Sequence, residues 1–133
     1  MTCTKVMVRG LCIYVGTLGS GIPKDITGPL AVLVPAFNDE ECDGVLAMIP
    51  ALLACKCTQI ACVGSLAEKL HDQIDDLVEK FRRSDVITTF HDDAQEAGEY
   101  FVFVAGLSAP TLLALVGDHP DVVDALSRAD LSH

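Results

Sequence analysis

"LAVLVPA", Leu30 to Ala36, is a run without a single charged or hydrogen-bonding side chain, and Pro29 stands directly before it. An apolar stretch that long, with a breaker at its start, suits a strand buried on both faces. Such strands belong to parallel sheets covered by helices, because a half-solvated strand alternates polar and apolar side chains instead. "TQIACVG", Thr58 to Gly64, has the same character, and each of the two runs is followed by a segment of helical pattern. Strand, helix, strand, helix is the signature of an α/β chain.

The first of those helical segments is "FNDEECDGVLAMIPALLACKC". Asn38 or Asp39 supplies the N-cap, and the acids that follow sit where the helix dipole favours negative charge. The helix is expected to run to about Cys55, kinked or restarted at Pro50. In the second, Ser65 stands three residues before Glu68, the spacing of a capping box. Leu66, Leu70, Ile74, Leu77, Val78 and Phe81 then recur at helical period as its buried stripe.

Farther out, "GLCIYVG" and "VITTF" read as strands, "HDDAQEAG" as a turn or short helix, and "YFVFVAG" as an apolar strand. "SAPTLLALVGDHP" is expected to be helical and to close at Gly117, and "PDVVDALSRADL" to form a last helix with Pro120 in its first turn. No linker, repeat or low-complexity segment divides the chain, so residues 1–133 are expected to form one α/β domain. The element order predicts a mostly parallel sheet with helices on both faces, a Rossmann-like three-layer sandwich.

Composition agrees with that architecture. Half of the residues are hydrophobic but only 5% are aromatic, so the core must be built from Val, Leu, Ile and Ala. The formal net charge is −10, and "KFRR", Lys80 to Arg83, is the densest basic stretch. That excludes a phosphate-binding face and argues against nucleic acid as a direct partner. An acidic surface suits solubility or a basic protein partner. The longest apolar windows, "GVLAMIPALLAC" and "GLSAPTLLALVG", are too short to span a bilayer and each holds a proline. Near the N-terminus no continuous apolar region leads to a small-residue cleavage site, so neither a signal peptide nor a membrane association is expected.

Six cysteines are present, at Cys3, Cys12, Cys42, Cys55, Cys57 and Cys62. A core this apolar needs no disulfides, and Cys12 and Cys62 sit inside strand-like runs as small hydrophobes, which predicts reduced thiols in a cytoplasmic protein. Cys55 and Cys57 are one residue apart, too close for a zinc knuckle, and no second close pair exists. The glycines of the loop Gly16 to Pro29 do not open a helix, so the dinucleotide fingerprint is absent and no cofactor is specified. Ser65 lacks the G-x-S-x-G setting of a nucleophile and Cys62 is in mid-strand, so nucleophilic catalysis is disfavoured.

In an open parallel sheet ligands bind beyond the carboxyl ends of the strands. Three places then qualify: Pro35 to Asp39, Gly64 to Asp72, and Phe90 to Asp93. The last two carry His71-Asp72 and His91-Asp92-Asp93 on consecutive strand-to-helix units, and these five residues are the candidate site. Paired imidazoles and carboxylates can hold a divalent metal or work as acid and base near neutral pH. The plainer alternatives are a local ion pair between His71 and Asp75 and a helix cap at Asp92 or Asp93.

The same residues carry a resemblance. A strand ending in a small residue (Gly64), a helix bearing His71-Asp72, a strand ending in Thr88-Thr89-Phe90-His91-Asp92-Asp93 and the segment "EYFVFVAG" are similar to a family of small, uncharacterised bacterial α/β proteins, a domain of unknown function. The likeness extends from about Ala31 to Gly106. It implies a fold and a recurrent motif and brings no established activity. The sequence therefore favours a small-ligand or partner-binding module with its site at the carboxyl ends of the strands. The rivals are a metal-dependent hydrolase using the His/Asp pairs and an acidic immunity-type or inhibitor protein that covers a basic partner.

Overall fold

The computed structural model of the protein describes residues 3–8, 10–24, 26, 29–83, 85–105, 109 and 111–129. Its strands are β1 (Thr4–Val8), β2 (Leu11–Val15), β3 (Leu30–Pro35), β4 (Cys57–Val63), β5 (Ile87–His91) and β6 (Thr111–Ala114). They form one sheet in the order β1-β2-β6-β3-β4-β5. Among the described residues β1 and β2 pair antiparallel, and every other pairing is parallel. Among the described residues four α-helices accompany the sheet: α1 (Asp39–Ala54), α2 (Ala67–Lys80), α3 (Ala94–Tyr100) and α4 (Pro120–Arg128).

Every residue of β3 is buried, and strict alternation divides them between two cores. Leu30, Val32 and Val34 pack with Val45, Ile49 and Leu52 of α1 and with Leu70 and Ile74 of α2. Ala31 and Leu33 pack with Ala97 of α3, with Phe101, and with Val122 and Leu126 of α4. A charge anywhere in "LAVLV" would enter one core or the other, which is why the run has none.

Asn38 is the N-cap of α1, and its side chain accepts from the Glu41 N–H at 2.8 Å. Pro50 lies within the helix, which continues to Ala54. At α2 the expected cap is replaced. Leu66 is the N-cap residue and makes no side-chain cap bond, while the Ser65 hydroxyl donates to the Phe37 carbonyl at 3.5 Å. The cause is a tight junction at Gly64, which has φ +136° and whose Cβ, if present, would lie 2.5 Å from the Ala36 carbonyl oxygen. The turn draws Leu66 N–H onto that same carbonyl at 2.8 Å and leaves Ser65 outside the first helical turn.

Three further expectations change. "YFVFVA", residues 100–105, is helical, with Gly106 outside the described residues: α3 runs on into a π-helical segment, Phe101–Ala105. Ala97, Gly98, Phe101, Val102 and Ala105 are the buried residues of this helical stretch, a helical spacing concealed in a run where almost every side chain is apolar. Gly98 fixes the choice, because α3 lies so close to α4 that a Cβ there would approach the Ala125 backbone to 2.9 Å. "TLLA", Thr111–Ala114, is a strand: β6 fills the slot between β2 and β3, with Leu113 in one core and Leu112 and Ala114 in the other. The start expected for that helix, Ser108 and Pro110, lies outside the described residues, as do Gly28 of the loop and Asp130 and Leu131 of the last helix. Finally, β1 is an additional strand, paired with β2 as a hairpin.

All six cysteines are free thiols. Among the described residues no helix is long and apolar enough to cross a membrane.

Candidate functional site

β3 and β6 are parallel neighbours, and the chain leaves their carboxyl ends in opposite directions. From β3 it enters α1, which packs in the Leu30–Val32–Val34 core; from β6 it enters α4, which packs in the Ala31–Leu33 core. Diverging connections leave a crevice between them, the place where open parallel sheets take ligands. A cavity of about 520 Å³ occupies it, within the size range of small-molecule sites. Leu18, Pro35, Gly44 and Leu115 give it apolar walls, and Asn38, Glu40, Glu41, Asp118 and His119 give it a polar rim.

Glu41 and His119 organise that rim. The carboxylate Oε1 of Glu41 accepts from the Phe37 N–H at 2.9 Å, and Oε2 lies 2.5 Å from Nε2 of His119. The imidazole stacks on the Phe37 ring with centroids 4.1 Å apart. Each element is held by ordinary local chemistry. Glu41 stands in the first turn of α1 behind the Asn38 cap, and the His119 carbonyl accepts the first N–H groups of α4, whose initial position is Pro120. The two side chains are 16% and 21% exposed, so the pair is largely shielded from water and its attraction is strengthened. A carboxylate oxygen only accepts, so a hydrogen bond to ionised Glu41 is donated by the Nε2–H of the imidazole. No Lys or Arg is among the described lining residues. Lys69, from α2, is engaged at the start of α1, where it donates to Asp39 at 3.1 Å.

The candidate residues chosen from sequence lie apart from this crevice and apart from one another. His71 Nδ1 lies 3.1 Å from Asp72 Oδ1, its Nε2 lies 3.5 Å from Asp75, and its ring meets Phe90 edge-on with centroids 5.0 Å apart. The Thr88 hydroxyl donates to Asp75 on the same side. His91 follows Phe90 on β5 and therefore points to the other face of the sheet. There its Nδ1 meets Glu96 at 3.0 Å, its Nε2 meets Thr89 at 3.2 Å, and its ring lies 4.9 Å from that of Tyr100. Tyr100 in turn donates to Gln59 Oε1 at 3.0 Å. The sheet separates the two imidazoles, so one small ligand or ion cannot touch both, and a hydrolase built on the paired HD motifs lacks its geometry. Consecutive units do share a rim, but the period of two along β5 sends adjacent side chains to opposite faces.

Asp93 is the N-cap of α3 and accepts from the Glu96 N–H at 3.0 Å, whereas Asp92 is exposed. Among the described residues no three His, Cys, Asp or Glu side chains converge as a metal ion would require. Burial pushes the Cys57 and Cys62 thiols up to about 12, which leaves them protonated and inert at neutral pH.

The sequence pointed to Pro35 to Asp39 through the strand-end rule, and that is one wall of the crevice. Glu41 was read only as one of the first-turn acids and His119 was not singled out; they stand 78 positions apart, and no spacing motif links them. No curated protein and no solved structure matches the chain. A family model does match, over residues 17–123, a span that holds the crevice and β5 and leaves the β1–β2 hairpin outside. The chain belongs to that family, described as a domain of unknown function, DUF7684.

Proposed function

We propose that the protein is a small-ligand-binding module whose site is the crevice between the carboxyl ends of β3 and β6, and that its ligand carries a protonated amine on a short apolar body. The observation that carries this function is the cavity at the divergence of the two strands, with the Glu41–His119 pair on its rim. The ligand class follows from the lining. Glu40, Glu41 and Asp118 offer carboxylates and no Lys or Arg is among the described lining residues, so an anionic ligand would be repelled and a cationic one attracted. Pro35, Leu18 and Leu115 supply apolar area for a hydrocarbon portion. Binding takes precedence over catalysis because the ring nitrogen and carboxylate oxygens seen to be engaged are engaged with each other and with Phe37.

This function treats the fold as a Rossmann-like three-layer sandwich, supported by the two cores to which alternate β3 residues contribute. A cytoplasmic setting is supported by the six free thiols. His71, Asp72, His91, Asp92 and Asp93 are assigned to framing β5 rather than to the ligand.

Three isosteric fragments test it: n-butylamine, n-butanol and butyrate, each titrated to millimolar concentration against isotope-labelled protein. The amine is expected to shift the amide signals of Gly44, Leu115 and His119, with the alcohol weaker and the acid without effect. A stronger response to butyrate would overturn the ligand class and keep the site. Silence at these amides with all three would overturn the site itself.

A further inference from the structure

We propose that β5 is a homodimer interface at which a second copy of this chain adds its own β5 antiparallel, continuing the sheet through a two-fold axis at Thr89. This is independent of the ligand crevice, which lies at the β3–β6 junction.

β5 ends the strand order, so among the described residues one side of it faces no other strand. The His91 carbonyl accepts from the Gly64 N–H and therefore points toward β4. Backbone groups alternate along a strand, so Thr89 and Ile87 also turn toward β4, and the N–H and C=O of Thr88 and Phe90 turn outward. Among the described residues no backbone group reaches those four. Natural edges are usually blunted by Lys, Pro or a bulge, and "ITTFH" contains none of these. It exposes apolar surface on both faces instead, with Ile87 55% and Phe90 40% exposed.

Self-pairing satisfies this edge in one register. With Thr89 opposite its own copy, Thr88 faces Phe90 of the other chain, and the outward donors and acceptors pair as two reciprocal sets. Phe90 and Thr88 of the two copies become cross-strand neighbours on one face, and Ile87 meets the partner's His91 on the other.

Charge chooses a second copy over an unrelated strand. His71 lies beside Phe90 and Asp75 beside Thr88, so α2 runs antiparallel to β5 and ends at its amino end. Exposed Lys80 and Arg82 therefore stand at the Ile87 end, beside exposed Glu79 and an Asp85 that Arg83 pairs, while exposed Asp92 and Asp93 stand at the His91 end. An antiparallel two-fold places Lys80 and Arg82 of each copy toward Asp92 and Asp93 of the other. Because the strand is short, the association is expected to be weak and reversible.

The test measures mass by sedimentation equilibrium from ten micromolar to one millimolar, on the wild type and on Thr88→Pro and Thr88→Val. Proline removes the outward N–H of Thr88 without touching the β4 ladder, and valine removes only the hydroxyl. The wild type and Thr88→Val are expected to dimerise with rising concentration, and Thr88→Pro to need about thirtyfold more protein, the equivalent of the two hydrogen bonds, one from each copy, that the two-fold loses. In the wild type, amide exchange at Thr88 and Phe90 should slow as concentration rises, a readout that stands even where the proline variant fails to fold. A wild type that stays monomeric to one millimolar, a dimer indifferent to Thr88→Pro, or exchange at Thr88 and Phe90 that ignores concentration would each overturn the proposal.

Discussion

Glu41 Oε2 and His119 Nε2 stand 2.5 Å apart, tying the first turn of α1 to the start of α4 at the rim of the crevice. The two helices pack against different cores, so this bond and the Phe37 stack bridge the divergence of the sheet's connections.

Replacing Glu41 with Ala removes the acceptor for the Phe37 N–H as well as the partner of His119. Two shielded donors lose their acceptor together, and the expected cost is about 1 to 3 kcal/mol in urea unfolding. Glu41→Gln keeps an acceptor for Phe37 and should cost less. Equal losses in the two variants would mean that charge, not hydrogen-bond satisfaction, holds the rim together.

Asp92 and Asp93 should part company. Asp93 caps α3 through Glu96 N–H, so Asp93→Ala is expected to destabilise by about 0.5 to 2 kcal/mol. Asp92 is exposed, and Asp92→Ala should stay within about 0.5 kcal/mol. Thermal unfolding of the two variants side by side decides it, and a reversed ranking would contradict the cap.

What the sequence disclosed follows from where its information is local. β3 and α2 were legible because an apolar run and a helical stripe each report burial within a few turns of chain. "FVFVA" was misread because apolar residues at all positions erase the period, and only the contact of Gly98 with Ala125 of α4 makes the helix necessary. "TLLA" failed for the same reason in reverse, since its slot exists only once β2 and β3 are in place. At the site, the strand-end rule found the Pro35–Asp39 wall, but the Glu41–His119 pair is a product of tertiary closure. The HD motifs looked like a shared centre because alternation along β5 is invisible until its faces are assigned.

Gly64→Ala should be among the most damaging single changes in the protein. Its φ of +136° is one that side-chain-bearing residues rarely adopt, and the added methyl would lie 2.5 Å from Ala36 O, which already accepts from Leu66. Neither backbone can move without pulling β3 from β4, so the loss is expected to be about 3 kcal/mol. Chemical denaturation measures it, and a loss under about 1 kcal/mol would mean that the junction relaxes freely.

The buried thiols predict an alkaline limit to stability. Burial raises the Cys57 and Cys62 thiols from 9.0 in the unfolded chain to about 12 in the fold. Between those values the unfolded state releases protons that the folded state keeps, so stability is full below pH 9 and falls as pH rises toward 12. Each thiol contributes a slope of at most about 1.4 kcal/mol per pH unit. Other groups titrate in the same range, so the informative quantity is the difference between the wild type and a variant carrying Cys57→Ala and Cys62→Ala. The variant will be less stable at pH 7 through lost packing, yet its stability should decline less steeply above pH 9. Parallel declines in the two proteins would place both thiols in contact with solvent, and alkylation of the native protein at pH 8 would then label Cys57 and Cys62 as fast as the half-buried Cys3, Cys12 and Cys55.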